Sequence, residues 1–186
     1  MCCNVVMGGA LVARPLYNMK TLLIFISIFG SIIAQETKES IPENLANFLD
    51  DQYGMWEIYD NSKLNKYPYP FKKSVNYIEG DFNCDNKIDY AMMLERYVEN
   101  DTLGILISVH SMLNGEFQLF ELEKRNNRFG PEEILILVQK GTEDYSYDTD
   151  DVFNYSCDAI LFYYYECCGQ SYVFNDSNYV KIQTVD

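Results

Sequence analysis

The chain carries one histidine in 186 residues, His110, in an apolar run with no nucleophile placed beside it by any motif. A lone histidine in a strand reads as structural. There is no Gly-x-Ser-x-Gly, no phosphate-binding glycine loop and no Cys–His signature, so the familiar nucleophile-based routes have no visible carrier. Basic residues are scarce too: 14 Lys and Arg stand against 28 Asp and Glu, a formal net charge of −14. Such a surface repels nucleic acid and anionic lipid and attracts cations. Long apolar runs are also missing. The uncharged stretch 21–33 is shorter than the ~20 residues that a membrane-spanning helix needs.

Acidic residues are absent from residues 1–34. Met19-Lys20 makes a short basic start, 21–33 is mostly apolar, and Ala34-Gln35 offers a small-residue cleavage point. This pattern predicts a secretory signal peptide over 19–34. Residues 1–18 then read as an over-long start or an extended leading region. The mature chain, 35–186, is expected to be exported to the periplasm or the extracellular space, with no membrane span. Its length suits a single globular domain. Export permits disulfides. Four cysteines remain after processing, Cys84, Cys157, Cys167 and Cys168. They allow three pairings, among which the sequence does not choose. Their spacings match no zinc motif.

Along the mature chain, Ser40-Ile41-Pro42-Glu43 reads as a helix start with Ser40 as cap. Leu45, Phe48, Leu49 and Tyr53 then fall on one helical face, and Gly54 stops the helix. Met55 to Tyr59 follows as a short strand. Residues 61–73 form a loop holding Tyr67, Tyr69 and Phe71 between prolines and flanked by lysines. Rings on so stiff a loop could stack on a sugar or a peptide. From Val75 onward the pattern is β. Asn114-Gly115 signals a two-residue hairpin. The apolar run Ile134 to Val138 reads as a central strand, and the acidic stretch 143–151 as a solvated loop. The expected fold is mainly β (α+β): an antiparallel meander of about seven or eight strands, closing into a barrel or sandwich, with one N-terminal helix.

Within that β pattern, Gly80 to Asp89 places Asp81, Asn83, Asp85 and Asp89 at positions one, three, five and nine of a loop, and an apolar strand follows at once. Alternate residues of a tight loop can all turn inward, and Ca²⁺ takes six to eight oxygens. Lys87, at position seven, would contribute its backbone carbonyl. Position twelve is Met92 where an EF-hand needs a bidentate Glu, so this is no EF-hand. Asn86 stands at the sharp turn, and Asn tolerates the left-handed conformation well.

The stretch Gly80 to Leu94 resembles the calcium loop of FG-GAP and VCBS-type repeats, Gly-Asp-Phe-Asn-Gly-Asp-Gly-x-x-Asp followed by a strand. It departs at Cys84 and Asn86, both usually Gly. Such repeats build propeller blades and also occur singly in small exported bacterial proteins of uncharacterised function. The segment Ala159 to Asp186 looks, more loosely, like the closing hairpins of such proteins. A single copy cannot make a propeller. The resemblance implies bound Ca²⁺ and no particular activity.

Two functional classes follow. One is an exported, non-catalytic module whose loop holds Ca²⁺ and which binds a protein or glycan partner. The other is a secreted or periplasmic hydrolase using a carboxylate pair that no motif reveals. The missing catalytic motifs favour the first.

Overall fold

The computed structural model describes residues 41–60, 76–99, 101–164 and 167–184, all inside the compact unit Thr37–Asp186. The readings for 1–18, for the signal peptide 19–34, for the Ser40 cap and for Tyr67, Tyr69 and Phe71 lie outside the described residues.

Helix α1, Glu43–Tyr53, buries Leu45, Leu49 and Tyr53, and Gly54 ends it at φ 71° while its N–H bonds Asp50 O at 2.9 Å. The N-cap position is Pro42, which makes no side-chain capping bond; its carbonyl accepts from Ala46 N at 3.0 Å. The apolar face of the helix holds it against the core.

Two antiparallel sheets follow. Sheet A has the order β1-β3-β4-β5, with β1 Trp56–Ile58, β3 Asp89–Val98, β4 Asp101–Ser111 and β5 Phe117–Arg125. Strand β2, Tyr77–Gly80, shares the β1 edge of β3: β1 pairs with Leu94 to Arg96, and β2 with Asp89 to Met92. Sheet B has the order β6-β9-β10-β11-β7-β8, formed by Glu133–Val138, Ala159–Tyr164, Cys168–Asn175, Asn178–Thr184, Glu143–Ser146 and Asp151–Asn154.

Sheet A is the middle layer. Successive side chains of a strand point to opposite faces. Met92, Leu94, Ile105, Ile107 and Val109 thus meet Leu45, Leu49 and Trp56. Ala91, Met93 and Leu106 meet Leu135, Ile160, Phe162 and Tyr172 of sheet B. Covering on both faces is why β3 and β4 read as nearly unbroken apolar runs. The architecture is mainly β and antiparallel with an N-terminal helix, as the sequence predicts.

Three local expectations are corrected. Strand β6 holds the predicted Ile134 to Val138, but it is an edge strand and not a central one among the described residues. Ile134 and Leu135 are buried, with β2 packed against β6. An apolar run reports covered faces and says nothing of a free backbone edge. The acidic stretch 143–151 folds into the β7–β8 hairpin, joined to β11 through Ser146 and Thr184. At the β4–β5 turn, Gly115 N bonds Met112 O at 3.1 Å and Met112 N bonds Glu116 O at 2.8 Å. The loop therefore has three residues. Gly115 alone of the Asn-Gly pair takes positive φ, 83°, which is the bulged hairpin and not the two-residue one.

Candidate functional site

The acidic loop joins β2 to β3 and is closed by the ladder pair Gly80↔Asp89. Gly80 has no room for a side chain: a Cβ would come within 2.8 Å of Leu137 Cδ1 and Phe82 Cε1. Phe82, fully buried, plugs the loop into the core between the sheets.

The polar side chains organise the loop's own backbone. Asp81 Oδ1 accepts from Asp85 N and its Oδ2 from Asn86 N, both at 3.0 Å. Asn83 Oδ1 accepts from the same Asp85 N at 3.0 Å. Asp85 Oδ1 accepts from Lys87 N at 3.0 Å, while Lys87 Nζ lies 3.7 Å from Asp85 Oδ2 and donates to Ser111 O at 3.3 Å. Asp81, Asn83, Asp85 and Lys87 are thus one connected set, with Asp81 and Asn83 meeting on the Asp85 amide and Asp85 bonded to Lys87.

Asp89 is turned to different donors. It is fully buried, accepts from Phe82 N at 3.1 Å and Ser111 N at 2.9 Å, and so ties the loop to the end of β4. Burial pushes its carboxyl up to about 6; the Ser111 N–H pulls the other way, and the nearby Asp85 charge adds to the rise. Among the described residues no three His, Cys, Asp or Glu side chains are gathered as a metal-binding group.

Sequence reasoning missed the loop's outer anchor. Asp81 and Asp158 bond reciprocally: Asp81 N donates to Asp158 Oδ2 at 3.0 Å, and Asp158 N to Asp81 O at 3.2 Å. Asp158 Oδ1 also accepts from Lys140 N at 2.9 Å. Next to this clamp Cys84 is disulfide-bonded to Cys157, 73 residues away, with Cα atoms 5.3 Å apart. That settles the first of the open pairings and leaves Cys167 and Cys168 as free thiols. Cys84 and Asn86 take φ of 61° and 64°, at the two positions where the resembling loops carry Gly. Asn tolerates this geometry, whereas Cys84 is held in it by its bridge.

An open cleft adjoins the loop. Asn83 and Asp85 line one side, and Leu113, Gln118, Phe174 and Asp176 stand among the residues completing it. Leu113 is 94% exposed at the tip of the β4–β5 turn. His110 also borders the cleft but is buried; its Nε2 bonds the Tyr179 hydroxyl at 2.8 Å, the structural role expected of it. Among the described residues no helix is long and apolar enough to cross a membrane. Comparison of the chain with protein-family models, curated proteins and solved structures gave no match.

Proposed function

We propose that the protein is an exported, non-catalytic module that holds Ca²⁺ in the loop between β2 and β3 and binds a protein or glycan partner beside it. The single observation that carries this reading is that side-chain oxygens of Asp81, Asn83 and Asp85 all turn in on the loop's own backbone, the first two on the Asp85 amide and the third on the Lys87 amide. A carboxylate has about four lone-pair sites, so these hydrogen bonds orient the oxygens without exhausting them. The donor set is hard oxygen only, which suits Ca²⁺ rather than a soft metal. Asp89 and the Lys87 carbonyl complete the proposed ligands. The resemblance to FG-GAP and VCBS-type loops points the same way. The adjoining cleft, with one aromatic ring, amides and two carboxylates, supplies a surface for the partner.

Thermal melting with EDTA and then with added Ca²⁺ tests the loop. Affinity of about 10⁻⁴–10⁻³ M is expected, as for extracellular modules. At about ten times Kd the ion stabilises by roughly 1.4 kcal/mol, worth about 3–6 °C in a domain of this size. Asp85→Ala should abolish the gain. An unchanged melting temperature at millimolar Ca²⁺ would end the calcium reading. N-terminal sequencing of native material tests export, and retention of Lys20 would overturn it. A carboxylate-pair hydrolase stays as the second reading because Asp85 and Asp176 line the same cleft. Oligosaccharide cleavage lost in both Asp85→Asn and Asp176→Asn would favour it.

A further inference from the structure

The two cysteines left over among the described residues lie side by side at the β9–β10 turn, far from the acidic loop. Their Sγ atoms are 2.8 Å apart; Cys167 is exposed and Cys168 partly so. Cys167 N bonds Tyr164 O at 3.2 Å, and Cys168 forms the first rung of the ladder, opposite Tyr164. Cys157 sits just before β9 and this pair just after it, so the six residues of β9 separate the two cysteine sites by roughly 20 Å. Within the folded chain neither Cys167 nor Cys168 can reach the Cys84–Cys157 bridge.

We propose that Cys167 and Cys168 are a reversible thiol–disulfide exchange site, closing to a vicinal disulfide on reaction with a small-molecule disulfide. The thiolate of Cys167, the more accessible of the two, attacks one sulfur of that disulfide and expels the first thiolate. The Cys168 thiolate then attacks the Cys167 sulfur of the mixed disulfide and expels the second. Two thiols of the protein lose two electrons and two protons; the small-molecule disulfide takes them up and leaves as two thiols.

Chain geometry makes the closed form labile. Adjacent Cα atoms are held about 3.8 Å apart across a trans peptide, below the about 4.4–6.8 Å that disulfides usually span. Cys84 and Cys157, at 5.3 Å, fall inside that range. A bond closed under strain is more oxidising and more easily reduced. The chain thus pairs a structural bridge at one end of β9 with an exchangeable one at the other.

The test uses the full chain carrying Cys2→Ser and Cys3→Ser, so that Cys167 and Cys168 are the thiols left outside the intact Cys84–Cys157 bridge; it is treated with oxidised or reduced glutathione, capped with a maleimide and weighed whole. The reduced protein should take up two maleimides. The oxidised protein should take up none, carry no glutathione and weigh two hydrogens less. The pair should reopen at a reduced-to-oxidised glutathione ratio about tenfold or more below any that opens Cys84–Cys157. Cys168→Ser and Cys167→Ser should each trap one glutathione on the cysteine that remains. The proposal is overturned if the oxidised protein with both Cys167 and Cys168 keeps a glutathione, still takes up two maleimides, links into dimers, or opens both pairs together.

Discussion

On its helix side sheet A presents Met92, Leu94, Ile105, Ile107 and Val109 to the apolar face of α1. On the other side the same two strands present Ala91, Met93, Leu106, Ser108 and His110 toward sheet B. There the Tyr179 hydroxyl bonds both Ser108 Oγ at 2.7 Å and His110 Nε2 at 2.8 Å, inside a cage of Phe120 and Phe174. Nearby, Arg125 bonds Glu133, Glu123 and Tyr164 and lies over the rings of Phe129 and Phe162, 5.2 Å from each centroid. Packing volume dominates the helix face, with directed bonds at the helix end, where Tyr53 Oη donates to Glu121 Oε1 at 3.0 Å and Arg96 Nε to Tyr53 O at 3.1 Å. The sheet–sheet face sets its directed bonds in the interior between the two sheets, which fixes how one sheet sits on the other but makes that contact sensitive to charge.

The largest effect that would break this comparison is expected at Arg125. Arg125→Ala leaves the buried Glu133 without its cation and should cost about 3–5 kcal/mol, read by denaturant melts. Arg125→Met should recover part of that, because it refills the space between the rings. A cost for Arg125→Ala below about 1 kcal/mol, the level of an exposed ion pair, would show the network to be incidental.

Next is pH. Burial holds His110 down at about 4, against about 6.5 in the unfolded chain. The folded-state value is depressed, so the unfolded chain binds more protons between those two values. The stability contributed by the neutral ring is whole above pH 6.5 and is lost as pH falls towards 4, by at most about 3 kcal/mol. The stability gap between wild type and His110→Gln, in which carboxylates common to both cancel, should shrink over that window. A gap independent of pH would refute the assignment.

The smallest effect belongs to the helix face. Ile107→Val removes one methylene from a fully buried site and should cost about 0.5–1.5 kcal/mol. Its cost should be the same at pH 7 and pH 5, since no titrating group is touched. A pH-dependent cost would mean that the two faces are coupled.

Much of this fold was legible in side-chain order alone. Apolar runs bounded by turn residues marked the strands, the 3.6-residue spacing of Leu45, Leu49 and Tyr53 marked α1, and the Asp/Asn spacing marked the loop, because each of these is a short-range consequence of backbone geometry. Edge position was not legible: Ile134 to Val138 is as apolar as a central strand because its faces are covered, while the edge that no second described strand pairs leaves no trace in residue type. Nor was the β7–β8 hairpin, whose exposed carboxylates hide its pairing. The choice of Cys84 with Cys157 out of three pairings, and of Asp158 as the clamp on Asp81, was likewise decided only by tertiary structure. Those partners lie more than seventy residues apart in the chain. Only the docking of sheet A on sheet B brings them within bonding distance, and no local preference encodes that approach.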